Sequence, residues 1–167
     1  MSQPAASVNV RSATPADVPT ILRFIRELAE YERAPLEAKA TEADLLRDLF
    51  GQGFGCGPVA EALMAELDGK PVGFALFFSN YSTWRGRSGI YLEDLYVTPE
   101  FRGIGAGKAL LQRIVRTAQS RGCGRVEWSV LDWNEPALKF YRSIGAEAMT
   151  EWTVHRLSAP NFGTLGV

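Results

Sequence analysis

Little in this chain could staple or metallate a fold. It holds two cysteines, Cys56 and Cys123, and one histidine, His155, in 167 residues. Two thiols close at most one bridge and a lone imidazole cannot assemble a His-rich metal site. The expectation is therefore a reduced, metal-free, cytoplasmic chain. Charge of one sign is equally lacking: 18 Lys and Arg oppose 19 Asp and Glu. That balance gives no support to a nucleic-acid partner, whose usual footprint is a basic face. No apolar run approaches the roughly 18 residues that a membrane span needs, and residues 1–7 have neither the basic nor the apolar segment of a signal peptide. Internal repeats and low-complexity segments are also missing.

What is present reads as one folded domain. Apolar residues at 46% against 22% charged place the chain with globular proteins rather than disordered ones. The length allows a core that buries about two-thirds of the unfolded surface. Val8 to Arg11 reads as a strand. Thr14-Pro15-Ala16-Asp17 then caps a helix carrying Val18, Ile21, Leu22, Ile25 and Leu28, which ends before Pro35. Thr41-Glu42-Ala43-Asp44 starts a second helix, stopped by Gly51. Val59–Leu67 and Pro71–Ser79 flank Asp68-Gly69, a hairpin signal. Residues 80–89 read as a polar loop, Ile90–Val97 as a strand, and residues 105–120 as an amphipathic helix. A strand over Val126–Leu131, a helix from Asn134 to Gly145, a last strand over Ala148–Arg156 and a loose tail over 158–167 complete an α/β order with an antiparallel start.

The most informative stretch runs from Asp94 through Lys108. A strand enters Arg102-Gly103-Ile104-Gly105-Ala106-Gly107-Lys108, which opens a helix. Such a turn aims backbone N–H groups and a helix dipole at one point, where an anion such as pyrophosphate can sit. A Walker A loop fails, because Arg102 and Ala109 stand where Gly and Ser/Thr are required. A Rossmann fingerprint fails because its third glycine would fall on Lys108. Arg-x-x-Gly-x-Gly remains. With the later Asn134…Ala137…Phe140-Tyr141…Gly145-Ala146 element, it resembles the GCN5-related N-acetyltransferase (GNAT) superfamily over about residues 8–157, with 1–7 and 158–167 as tails. Leu28-Ala29-Glu30-Tyr31-Glu32, Tyr81-Ser82-Thr83-Trp84 and Leu92-Glu93-Asp94 are similar to its diamine acetyltransferase group, and most to the thialysine branch.

That resemblance implies a single-domain α/β fold whose mixed, mostly antiparallel sheet splays at the acyl-CoA site and is flanked by about four helices. It implies transfer of acetyl from acetyl-CoA to a primary amine of a small cationic acceptor in a ternary complex. Acetylation of a protein N-terminus or an aminoglycoside, and a non-catalytic CoA-binding module, are the alternatives. Acetyl-CoA would meet Leu95, Tyr96 and Val97 through the backbone, the loop from Arg102 to Lys108, Asn134 and Arg142. By the same resemblance Glu93 is the base, acting through water, and Tyr141 protonates the leaving thiolate. Without it, Phe140-Tyr141 reads as a core pair, Asn134 as a helix cap and Arg142 equally as a solvated cation. Glu93 and Asp94 stand together in an apolar strand whose alternation sends them to opposite faces, so at least one enters a covered region. Tyr31, Glu32, Trp84 and Asp94 are candidates to hold the acceptor's ammonium by charge and cation–π contact. Ser82 departs from the acid that polyamine enzymes carry two residues before the Trp, which implies a shorter acceptor. The group's relatives imply a homodimer whose subunits both border the acceptor site.

Overall fold

The computed structural model describes residues 7–51, 55 and 57–166. Cys56 and its glycine-rich neighbours Gly53 and Phe54 lie outside them. Two compact units divide the chain after Ser129.

The first unit is a five-stranded sheet in sequence order. Its strands are β1 (Val8–Ser12), β2 (Glu61–Leu67), β3 (Lys70–Ser82), β4 (Arg87–Val97) and β5 (Val126–Trp128). The first four pair antiparallel, and β5 joins β4 in parallel. The β2–β3 turn follows from its dipeptide: Asp68 (φ 51°) and Gly69 (φ 77°) both take the left-handed region that a two-residue hairpin matching the sheet twist requires. Three helices belong to this unit, α1 (Val18–Tyr31), α2 (Glu42–Phe50) and α3 (Ala106–Ser120). Thr41 and Asp44 close a reciprocal cap at the start of α2, with the Asp44 N–H donating to Thr41 Oγ1 at 3.2 Å.

Alternation along the strands sorts the core. Met64, Phe74 and Tyr96 meet Val18, Ile21, Leu22 and Phe24 of α1 and Leu45 and Leu49 of α2. Residues one step out of phase, among them Ala75, Phe77, Ile90 and Leu92, are buried on the other face, where α3 lies across the sheet. Arg11 ties β1 to the start of α1. Its guanidinium donates to both oxygens of buried Asp17, at 2.7 and 2.8 Å, and to Glu66 at 2.8 Å.

Two expectations for this unit need correction. The segment read as a polar loop over 80–89 is mostly sheet, because its polar residues sit beyond the core and still pair: Asn80 opposes Gly89, and Ser82 opposes Arg87. Strand β5 is also shorter than Val126–Leu131.

The second unit contains α4 (Glu135–Ser143), capped by Asn134, whose Oδ1 accepts from the Ala137 N–H. The strand expected over 148–156 does not form. Met149, Trp152 and Val154 are exposed there, and a strand needs an edge to pair with as well as an apolar rhythm. The tail is more ordered than expected, with a 3-10 turn over Ala159–Leu165. Among the described residues, no helix is long and apolar enough to cross a membrane.

Candidate active site

Three features of the first unit converge on the last five residues of β4. The parallel pairing with β5 stops at Leu92–Trp128, while β4 runs on to Val97 alongside β3. At that divergence Tyr91 Oη and Ser129 Oγ lie 2.8 Å apart and share a hydrogen bond. The Thr98 N–H donates to Val72 on β3, so alternation turns the peptide groups of Leu95 and Val97 away from β3, toward the side that β5 has left. A backbone donor and a strand-like edge are thereby presented where the sheet splays.

The second feature is a bulge. Leu76 opposes Asp94 and Phe77 opposes Leu92, so Glu93 is an extra residue in β4. The expectation that Glu93 and Asp94 face opposite sides is overturned for this reason. The bulge absorbs one step of the alternation, and both project on the α1 face, Asp94 in phase with core residue Tyr96. Glu93 is exposed and Asp94 half-buried. Burial, then the charge of Glu93, then that of Glu32, pushes the Asp94 carboxyl up to about 7. Glu32, just past the end of α1, is itself raised by desolvation. Three carboxylates therefore share one field, a natural seat for an ammonium group. Among the described residues, no cluster of three or more His, Cys, Asp or Glu side chains is placed to hold a metal ion.

The third feature is the glycine loop. Gly103 (φ 85°) and Gly105 (φ 92°) adopt left-handed backbone that other residues strain to reach. Gly105 caps α3 with no side chain, leaving the first-turn N–H groups of Ala106, Gly107 and Lys108 without an intrahelical acceptor. Anions bind at such helix starts. Ile104 and Lys108 are exposed beside it. Arg102 is differently engaged: its Nε donates to Val97 O at 3.1 Å, and its guanidinium carbon lies 4.6 Å from the ring centre of Tyr31.

The remaining candidates divide. Tyr96 is a buried core residue, its Oη donating to Glu27 Oε2 at 2.9 Å, and burial with that carboxylate pushes its hydroxyl up to about 12. Only its backbone is available to a ligand. Trp84 is 87% exposed in the β3–β4 turn. Asp94 stands seven residues beyond the start of β4, roughly 20 Å of strand from that turn. Trp84 is thus not brought to the carboxylates of its own chain. Nearby Ser82 is buried, and its Oγ accepts from the Arg85 N–H at 3.3 Å.

In the second unit, Asn134 and Tyr141 are seven residues apart, on one face of α4 and roughly 10 Å apart along its axis. Tyr141 is half-buried against Phe140, with ring centres 5.4 Å apart. Arg142 is ion-paired with Glu135 at 2.6 Å. Glu27 is a residue that sequence reasoning missed; its acidic place on α1, four residues before Tyr31, was the available signal.

The family model described as the acetyltransferase (GNAT) family matches residues 22–146. Thialysine N-epsilon-acetyltransferase of Bos taurus is 42% identical over 154 residues, 87% of this chain and 88% of that protein. L-ornithine N5-acetyltransferase of Arabidopsis thaliana is 31% identical, covering 89% of this chain and 83% of that one. Among solved structures, an integron cassette protein of V. cholerae superposes with a TM-score of 0.77 at 27% identity, covering 96% of this chain and 98% of that one.

Proposed function

We propose, for a chain that belongs to the GNAT family and is an N-acetyltransferase, that it carries the acetyl group of acetyl-CoA to a primary amine of a small cationic acceptor. A lysine-like amino acid such as thialysine, or a short diamine, fits best. The observation that carries this reading is the group of acids at the β4 bulge, Asp94 and Glu93 with the charge of Glu32 acting on Asp94, beside the strand edge that β5 leaves and the glycine loop that opens α3. A peptide N-terminus brings a single ammonium group to these acids; an aminoglycoside is polycationic, so for that rival it is the relatives acting on amino-acid amines, rather than the charge, that favour the smaller acceptor.

The chemistry distributes over these residues. An alkylammonium with a pKa of about 10 must lose a proton before it can attack. Glu93, exposed at the bulge, accepts that proton through water. Asp94 and Glu32 hold the acceptor's charged end, with Tyr31 forming part of the wall. The backbone of Leu95, Tyr96 and Val97 pairs with the pantetheine arm as an added strand, and the outward Leu95 N–H donates to the oxyanion. The loop from Gly103 to Lys108 takes the pyrophosphate. Tyr141 gives a proton to the departing thiolate, and Asn134, one face along α4, hydrogen-bonds the arm. The relatives named above, as acetyltransferases of amino-acid amines, support this choice of acceptor. Residues 8–157 act as the catalytic domain in the cytoplasm. The homodimer that the diamine acetyltransferase resemblance implies would bring Trp84 of one copy to the acceptor site of the other.

The test is release of CoA thiol from acetyl-CoA with thialysine, lysine, ornithine, putrescine and spermidine, set beside a peptide N-terminus and an aminoglycoside. Turnover with the short amines is expected. A preference for the peptide or the aminoglycoside overturns the acceptor assignment, and acetyl-CoA binding without turnover favours a regulatory module.

A further inference from the structure

We propose that Arg102 is a positioning residue that transmits occupancy of the acyl-CoA loop to the acceptor side of the site, through its stack on Tyr31. The proposal rests on the acetyl-transfer reading and goes beyond it, since a basic residue in this loop would otherwise be taken as a phosphate ligand.

The geometry makes Arg102 a strut. Its Nε is spent on the carbonyl of Val97, the last residue of β4, at 3.1 Å. Its guanidinium lies over the Tyr31 ring at 4.6 Å, within cation–π range. Tyr31 ends α1, and the next residue is Glu32, whose charge acts on Asp94. One side chain of the loop thus touches the strand that would carry the pantetheine arm and the helix end that carries an acceptor carboxylate. Lys108, exposed in the first turn of α3, remains to balance a phosphate.

A second link shows why the stack is the variable one. Glu27, one helical turn before Tyr31, accepts from Tyr96 Oη at 2.9 Å and pairs with Arg23 at 2.6 Å. Tyr96 is 4% exposed and belongs to the core, so this link holds α1 to β4 whether or not a ligand is present. Arg102 is exposed and borne on a loop with two left-handed glycines. Filling that loop with an anion fixes it, and the fixed loop holds the guanidinium against Tyr31. The helix end then settles with Glu32 in place, and the acceptor meets a formed wall. Past Tyr31 the chain turns sharply, with Arg33 at φ 63°. The Glu32, Arg33 and Ala34 N–H groups donate to Leu28, Glu30 and Ala29. Those three amides report on the helix end.

The experiment is hydrogen exchange at Glu32, Arg33 and Ala34, with and without saturating acetyl-CoA, beside calorimetric acetyl-CoA affinity. Wild type, Tyr31→Leu, Tyr31→Phe, Arg102→Met and the double variant Tyr31→Leu/Arg102→Met are compared. In wild type the ligand is expected to slow these amides by about two- to fivefold, the span of an exposed cation–π contact. Tyr31→Leu and Arg102→Met lose that protection while still binding acetyl-CoA, and Tyr31→Phe, which keeps the ring, retains more of it than Tyr31→Leu. Acceptor KM rises in both single variants, and the double variant is no worse than either. Three results overturn the coupling: binding without protection in wild type, protection that survives Tyr31→Leu, or an Arg102→Met variant that loses acetyl-CoA affinity, as a phosphate ligand would. Failure of the wild type to bind acetyl-CoA overturns the functional reading as well, and calorimetry separates that case from the other three.

Discussion

Glu93 and Asp94, consecutive in β4, project on the same face of the sheet because Glu93 is the extra residue of a bulge opposite Leu76 and Phe77. A regular strand would have separated them. The bulge leaves Glu93 exposed and draws Asp94 inward beside Glu32, and it is this unequal burial that separates the two acids.

Asp94 binds its proton more tightly in the folded chain than in the unfolded one, because burial and two like charges raise its carboxyl to about 7. Its ionisation therefore removes stability as pH rises from the ordinary carboxylate range to about 7. Asp94→Asn should melt higher than wild type at both pH 8 and pH 5, and by clearly more at pH 8. The same variant should raise acceptor KM by about 30-fold, as expected for losing one partner of a buried charge pair. Melting curves at the two pH values and steady-state kinetics check both parts.

Gly107 has an ordinary helical backbone, and an added Cβ would meet only Val97 Cγ2, at an unstrained 3.8 Å. Gly107→Ala should fold with an unchanged or higher melting temperature, since alanine favours helix by about 1 kcal/mol over glycine. With the loop taking the pyrophosphate as proposed, the added methyl group should nonetheless crowd the approach to the first-turn amides and weaken acetyl-CoA binding about tenfold. Calorimetric titration beside a melting curve measures the two effects separately.

Removing a positioned acid typically costs on the order of 100-fold or more in rate. Tyr141→Phe should lower kcat by about that factor with acetyl-CoA affinity retained. Glu93→Gln should instead move the pH–rate profile for the acceptor. Unaltered kinetics in both variants would remove the assigned roles.

Arg11 holds both oxygens of Asp17, which is 8% exposed, and keeps that carboxyl well below its usual range. Arg11→Leu should destabilise the fold by about 2–3 kcal/mol at pH 7, because it strands a buried carboxylate. The loss should shrink as pH falls below the ordinary aspartate range, where Asp17 becomes neutral in the unfolded chain. Urea unfolding at pH 7 and pH 3.5 reads the difference.

Local chemistry made much of this fold legible. Asp68-Gly69 announces its hairpin, Thr41 and Asp44 announce the start of α2, and Arg102 to Lys108 mark the turn into α3. Those signals act within a few residues. The bulge at Glu93 depends on which residues of β3 lie opposite, so alternation within β4 could not show it. The strand expected at 148–156 does not form: Met149, Trp152 and Val154 supply an apolar rhythm but stay exposed, and pairing with another strand is something alternation alone cannot report. The Arg102–Tyr31 stack joins residues 71 positions apart, each of which reads alone as a ligand contact.

Competition between acceptors shows whether the carboxylates at the β4 bulge select a small cationic amine for acetylation from acetyl-CoA. Wild type and Asp94→Asn are each given acetyl-CoA and an equimolar mixture of thialysine, ornithine, putrescine, an N-terminal peptide and an aminoglycoside, and the products are counted by mass spectrometry. Wild type should acetylate the small amines first, and Asp94→Asn should lose this preference together with most of its turnover. Acetylated peptide or aminoglycoside as the main product, or an Asp94→Asn variant with the same product ratios as wild type, would contradict that selection.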